Sequence, residues 1–382
     1  MTPSPRPAGP AAVPPARAEV ESLQAYSAPL EGRRGLLRLD FNENTLGPSP
    51  AVVAAVRALP AEHYAIYPEY DGLRQAVLAA LGGSCAGLTP SHVGIFNGVD
   101  AAIHAVFQAY GAPGDRLLTT SPTFGYYSPC AQMQGMGIEA IPYTLPGFAF
   151  PLEEVSAALA ADPPPRLLLL CNPNNPTGTR LEAAQVLALA ASAPHTLVVV
   201  DELYEAFTGD SVLPLLVAQA GADGDPFAAY PNLLVLRSLS KTAGIAGLRI
   251  GFAWGAPALV DRVSRVTGPY DVNSFAVCAA YAALADQAYV DTYVAEVRAA
   301  RDWLVEQCLA HQVRHHAAGG NYLLIWPDGA VAEVDRRLRQ EAGILVRAMT
   351  GKPLIDGALR VSVGTGEQMR RFWQAYRLIE GR

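Results

Sequence analysis

An amine nucleophile is available at only two positions in this chain. Among its 28 basic residues Lys241 and Lys352 are the only lysines, and the rest are arginine. Any chemistry that needs a side-chain amine therefore has two candidates. Lys352 stands in a Gly-Lys-Pro turn and reads as a surface residue. Lys241 ends Ser238-Leu239-Ser240-Lys241, directly behind the apolar run NLLVLRS (232–238) and ahead of Gly244, Gly247, Arg249 and Gly251.

Two more polar clusters follow apolar runs in the same way. RLLLLC (166–171) leads into Asn172-Pro173-Asn174-Asn175-Pro176-Thr177-Gly178, and TLVVV (196–200) leads into Asp201-Glu202-Leu203-Tyr204. The first cluster has the residue types of a tight turn, and two prolines stiffen it while presenting the asparagine side chains. A carboxylate at a strand end serves as a helix cap about as often as it serves in catalysis. Each cluster alone is weak evidence; their order behind successive strands makes them a set.

The elements that must position these residues are legible from periodicity. Strands are expected at VGIF (93–96), RLLTT (116–120), RLLLLC, TLVVV, NLLVLRS and LRIGFAW (248–254). Several are continuously apolar, as in strands buried on both faces. Alternation with helical stretches predicts an α/β fold with a large, mainly parallel sheet, and in such sheets ligands bind beyond the carboxyl ends of the strands. Ser49-Pro50 reads as a helix start, and Asp71 opens a helix closed by Gly82-Gly83. Residues 273–318 read as long helices, and YLLIW and LRVSV as strands of a smaller α+β unit. The first 18 residues hold six prolines and no apolar period.

Composition narrows the function. About half of the 382 residues are apolar and the net charge is −7, a balance that argues against a general nucleic-acid surface. No apolar run approaches the ~20 residues that span a bilayer. The five cysteines are scattered without CxxC or zinc-site spacing, so no metal site is expected. The N-terminus carries no signal-like apolar segment, and a cytoplasmic location is the expectation.

Taken together, DFNEN (40–44), YPEYDGLRQA (67–76), NGVDAAI (97–103), PTFGYY (122–127), NPNNPTG (172–178), DELYEAF (201–207), SLSKTAGIAGLRIG (238–251) and LRVSVGT (359–365) resemble the motifs of the class I/II aminotransferases. These are fold-type I pyridoxal-phosphate (PLP) enzymes, and within them the likeness is nearest to histidinol-phosphate aminotransferases. The resemblance implies a Pro/Ala-rich disordered tail at 1–18 and an arm at 19–48 joining the small domain. It also implies a large PLP-binding domain at 49–270 and a small C-terminal domain at 271–382.

It further implies a role for each residue. Lys241 bonds the cofactor aldehyde and moves the substrate proton. Asp201 pairs with the pyridinium nitrogen and keeps the ring an electron sink. Asn175 and Tyr204 bond the ring's phenolic oxygen, and Phe124 stacks on its face. The phosphate is received by Gly98, Val99 and Asp100 at a helix start, by Ser238 and Ser240, and by Arg249. Tyr67 reaches the phosphate of the neighbouring subunit in a homodimer. Arg360 grips a substrate carboxylate, which agrees with the cost of an arginine in an apolar strand. Tyr26, Asn44 and Arg347 contact the rest of the substrate. Two departures stand out: Thr45 follows NEN where proline is usual, and Phe124 replaces a common tyrosine. The implied reaction moves an amino group from an amino-acid-type donor, histidinol-phosphate-like or aromatic, to a 2-oxo acid. A PLP lyase, decarboxylase or cyclase is the alternative on the same fold. A transcriptional sensor is disfavoured by the absence of a helix-turn-helix module.

Overall fold

The computed structural model describes residues 13–24, 29–221 and 224–382. Thirteen strands form three sheets among these residues. In chain order they are β1 (Leu37–Arg38), β2 (Val93–Phe96), β3 (Arg116–Ser121), β4 (Gly137–Pro142), β5 (Leu167–Cys171), β6 (Leu197–Asp201) and β7 (Leu233–Ser238). There follow β8 (Gly251–Gly255), β9 (His315–His316), β10 (Tyr322–Ile325), β11 (Ile344–Leu345), β12 (Arg347–Ala348) and β13 (Leu359–Ser362).

The large sheet has the order β2-β8-β7-β6-β5-β3-β4. Strands β3 to β7 pair in parallel, and β8 runs antiparallel to both of its neighbours. Every residue of β5 and β6 is buried. Their neighbours alternate between two apolar cores. Leu167, Leu169, Val199, Leu234 and Leu236 enter one, and Leu168, Leu170, Val198, Val200 and Val235 enter the other. This two-sided burial is why the strands read as unbroken apolar runs.

Register places the functional loops. Cys171 lies level with Asp201, and Asp201 with Leu236. Gly251 is level with both Phe96 and Ser238. The loops after β2, β5, β6 and β7 therefore leave one edge of the sheet, and Arg249 enters β8 from that edge.

Two smaller sheets complete the molecule. One has the antiparallel order β12-β13-β10-β9. The other pairs β1 in parallel with β11, so Leu37 lies opposite Ile344. Helix Gly366–Glu380 packs against helices Gln287–Ala310 and Val331–Ala342. No helix among the described residues is long and apolar enough to cross a membrane.

The helix starts follow local chemistry. Ser49 caps Pro50–Arg57, its hydroxyl accepting from the Val52 amide at 3.3 Å. The helix Asp71–Leu81 ends where Gly82 takes φ +74°. Four expectations are adjusted. Strand β4 was not anticipated, because it is a half-exposed edge strand with no apolar run. The strand expected from Leu248 begins at Gly251, since Ala246–Leu248 is a 3-10 turn and Arg249 has φ +61°. The helical stretch ends at Ala310, and His315–His316 pairs with β10. Residues 1–12 of the expected tail lie outside the described residues. Arg17 is tied to the Met133 carbonyl at 2.8 Å, and Ala18 opens a short helix.

Gly251 sits where β8 passes the start of helix Val99–Tyr110. A Cβ there would stand 2.5 Å from the Gly98 carbonyl carbon and 2.5 Å from the Val99 nitrogen. Gly251→Ala is expected to cost about 1–3 kcal/mol, as overpacking does. Urea unfolding checks this; an unchanged midpoint would show that the two backbones separate freely.

Candidate active site

The common loop edge opens into a cavity of about 700 Å³. Its wall contains Lys241, Tyr204, Asn175, Phe124, Val99, Asp100, Ser238, Ser240, Arg249, Arg347 and Arg360. Eleven residues singled out in the sequence thus meet at one surface, drawn from seven separate loops and strands.

Lys241 lies on the loop after β7, and its Nζ donates to the Phe41 carbonyl at 2.9 Å. Burial lowers its pKa to about 8, the nearby Arg360 adding to the effect while Glu43 and Asp100 oppose it. A lysine so placed sheds its proton near neutral pH, as a nucleophile or proton carrier must.

Asp201 ends β6 beneath the cavity and is 2% exposed. Its Oδ2 accepts the Tyr127 hydroxyl at 2.8 Å, and its Oδ1 accepts the Leu203 amide at 3.2 Å. Burial pushes the carboxyl up to about 6 despite both hydrogen bonds. A buried carboxylate in this position is costly unless a cation meets it, and a protonated ring nitrogen is such a partner.

Tyr204 points its hydroxyl at two amides, accepting from Asn42 Nδ2 at 3.0 Å and Asn175 Nδ2 at 3.3 Å. Burial raises this phenol above its ordinary range. Asn175 Oδ1 accepts from Arg360 at 2.7 Å, and a second Arg360 donor reaches the Asp40 carbonyl. Phe124 stands edge-on to Tyr127 at 5.4 Å.

At the other end, Ser238 Oγ and Ser240 Oγ are 2.7 Å apart, and Arg249 pairs with Asp100 at 2.9 Å. Gly98, just behind the wall, has φ +80°, and a Cβ there would lie 2.5 Å from the Arg249 guanidinium. Helix Val99–Tyr110 starts at this point, and its first-turn residues share the cavity wall with the hydroxyls and the guanidinium. This is the chemistry of a phosphate receiver.

Besides Asp201 beneath this wall and Gly98 just behind it, three expected residues are not on it. Asn44 is buried and occupied elsewhere: its Nδ2 donates to the Thr242 carbonyl at 2.7 Å, and its Oδ1 accepts the amides of Leu46 and Gly47. Its contacts are those of a loop clamp. Tyr67 lies on another face, 67% exposed and stacked on Tyr270 at 3.9 Å. Tyr26 lies outside the described residues.

Other residues had no individual role assigned from the sequence. Tyr127 is the second tyrosine of PTFGYY, and nothing in its type marked it as the partner of Asp201. Asn42 sits with φ +55° and joins Ser362, Asn321 and Tyr204 through its backbone and side chain. Arg33 binds Asp40 at 2.7 Å and Glu43 at 2.8 Å and covers the Phe41 ring at 4.1 Å.

The family model "Aminotransferase class I and II" matches residues 34–375. The chain belongs to this family. It is 33% identical over 381 residues to the histidinol-phosphate aminotransferase of Moorella thermoacetica, covering 97% of this chain and 94% of that one. It is 35% identical over 358 residues to the histidinol-phosphate aminotransferase of Symbiobacterium thermophilum, covering 92% of each. Among solved structures, a Sinorhizobium meliloti histidinol-phosphate aminotransferase in complex with pyridoxal-5'-phosphate superposes with a TM-score of 0.82. That match covers 97% of this chain and 98% of that one at 23% identity, and so speaks to the fold. This aminotransferase therefore has the expected fold-type I architecture, and PLP is its cofactor. The residues fit that group, with an amine, a buried carboxyl and a phosphate receiver along one cavity.

The raised Asp201 carboxyl gives a sign-specific prediction for cofactor-stripped protein. Because the folded chain holds this proton more tightly than the unfolded chain, ionising Asp201 costs stability between about pH 4 and 6, and fully above that. Asp201→Asn is expected to remove Asp201's share of the decline, leaving that of Glu202, which burial also raises, and to gain about 2–3 kcal/mol at pH 7. Urea titrations from pH 4 to 8 check it; parallel curves for the two proteins would refute it.

Proposed function

We propose that this aminotransferase takes the amino group of a histidinol-phosphate-like or aromatic donor and passes it to a 2-oxo acid. The observation that carries the reading is the shared wall of Lys241, Asn175, Tyr204, Arg249 and Arg360, with Asp201 beneath it. Identity near one third across almost the whole chain to histidinol-phosphate aminotransferases supports the donor.

The residues divide the work. When bound, PLP supplies an aldehyde that condenses with amines and a ring that accepts the electron pair released at the substrate Cα. Lys241 would hold the aldehyde end of the cofactor and, as a buried amine of lowered pKa, would carry the substrate proton. Asp201 would keep the ring nitrogen protonated, with Tyr127 fixing the carboxylate in place. Tyr204, Asn175 and Phe124 would hold the rest of the ring. Ser238, Ser240, Arg249 and the amides after Gly98 anchor the phosphate. Arg360 orients the substrate through an anionic group, and the strap Asp40–Asn44 keeps water from Lys241.

We also propose a homodimer in the cytoplasm, with Tyr67 reaching the phosphate end of the neighbouring site. In support, Tyr64, Ile66, Tyr67 and Tyr270 are all at least 60% exposed. They lie beside an apolar cavity of about 740 Å³, more than solvent-facing side chains ordinarily gather.

Two experiments test this. With PLP-loaded protein and no 2-oxo acid, histidinol phosphate is expected to bleach the cofactor's visible absorption stoichiometrically. Lys241→Ala should lose more than about 10³-fold in that rate. Release of ammonia or carbon dioxide without bleaching would instead identify a lyase or decarboxylase. Second, Tyr67→Ala and Lys241→Ala proteins, each impaired alone, are expected to regain activity when unfolded and refolded together, because a mixed dimer holds one intact site. No recovery would place Tyr67 outside the neighbouring site.

A further inference from the structure

Lys241 is held in place by main chain from the strap Asp40–Asn44. The Phe41 carbonyl accepts from Lys241 Nζ at 2.9 Å, and the Asp40 carbonyl accepts from Arg360. What steadies those carbonyls lies off the cavity wall. Arg33 bonds Asp40 through Nε at 2.9 Å and Nη2 at 2.7 Å, and Glu43 through Nη1 at 3.2 Å and Nη2 at 2.8 Å. The same guanidinium covers the Phe41 ring at 4.1 Å. One side chain, 11% exposed, thus grips the strap on both sides of the residue that receives the amine. Arg33 itself does not line the cavity, so it cannot act by touching a bound molecule.

Glu43 does line the cavity, and its charge acts on Lys241 against the effect of burial. The other charged groups that act on the amine have partners of their own. Asp100 pairs with Arg249 at 2.9 Å, Asp201 accepts from Tyr127 at 2.8 Å, and Arg360 donates to Asn175 at 2.7 Å. Tyr204, Arg347 and Lys352 stand on the same wall. Glu43 differs in that its occupation depends on residues off the wall. Burial would raise its pKa, yet Arg33 holds it below the ordinary carboxylate range, with Arg38 adding a contact at 3.3 Å.

A half-buried carboxylate stripped of its guanidinium needs another cation. Lys241, bonded to the carbonyl two residues earlier in the strap, lies within the field of Glu43. An ammonium paired with a carboxylate keeps its proton. A protonated amine neither condenses with an aldehyde nor accepts a proton from a substrate.

We propose that Arg33 is a positioning residue for Lys241: by bridging Asp40 and Glu43 it fixes the carbonyl that holds the amine and keeps the Glu43 carboxylate from pairing with it. The proposal rests on Lys241 being the reactive amine, as read above. It gives a task in the chemistry to an arginine that no bound molecule meets.

The test exploits the presence of only two lysines in the chain. Reductive methylation with 13C-formaldehyde places NMR-visible methyl groups on Lys241 and Lys352, and their pH titration is followed in the full-length, cofactor-stripped protein. Arg33→Met is expected to raise the Lys241 midpoint by about 1 pH unit and to leave Lys352 unmoved. Glu43→Gln should lower the Lys241 midpoint by less than about 0.3 in the wild type, yet cancel most of the rise in Arg33→Met, because the two residues are coupled. Arg33→Met strands the buried Asp40, so Arg33→Met/Asp40→Asn is measured in parallel and should show the same rise even if the single variant does not fold. In PLP-loaded holoenzyme, where Lys241→Ala is expected to abolish the cofactor's visible band, the pH midpoint of that band should rise with the amine's. An unchanged Lys241 midpoint, an equal rise at Lys352, or a rise that Glu43→Gln leaves in place would overturn the proposal. A visible band that survives Lys241→Ala would fault the placement of the cofactor on Lys241, and the amine titration would still decide on Arg33.

Discussion

Cys171, Asp201 and Leu236 lie level across the parallel strands β5, β6 and β7, and Ser238, Gly251 and Phe96 lie level across β7, β8 and β2. This shared register brings the asparagine turn, the buried carboxyl, the lysine loop and the helix start to one edge. A slip of one residue in any strand would turn its side chains to the opposite core and withdraw its loop from the cavity. The two apolar cores that hold the strands in place are therefore also what sets the spacing of the reactive groups.

The second support is the strap Asp40–Asn44. Its backbone carbonyls receive Lys241, Arg360 and Asn321, and the Asn42 amide donates to Ser362. Cations taken out of water need acceptors. Here main-chain oxygens serve, leaving the amine neutralisable and the guanidinium ready for a competing anion. Arg33 holds the strap from outside through Asp40, Glu43 and the Phe41 face. One short segment thus links the large sheet's loops to β10 and β13.

Much of this could be read from the sequence because deep burial leaves a clear mark. Strands β5 to β7 are continuously apolar, so the polar residues beyond them stood out, and the lysine scarcity left few choices for the nucleophile. What could not be read is what depends on tertiary partners. Strand β4 lies half-exposed at an edge, and its pattern carries no period. The Arg249 turn shortens β8 through a left-handed backbone that an arginine does not advertise. Asn44 has the same residue type as Asn42 two positions earlier, yet one clamps a loop and the other reaches Tyr204. Tyr127 and Arg33 meet their carboxylates across 74 and 7 residues of chain, contacts that no local pattern encodes.

The two ends of the cavity differ in how much room surrounds their glycines. Around Gly98 and Gly251 an added methyl would collide with a guanidinium or with backbone, whereas Gly351 in the β12–β13 turn has nothing within 4 Å. The cost of change is correspondingly lopsided: at the crowded end any side chain displaces a guanidinium or main chain, whereas at the hairpin only the left-handed backbone of Gly351, φ +69°, stands against one.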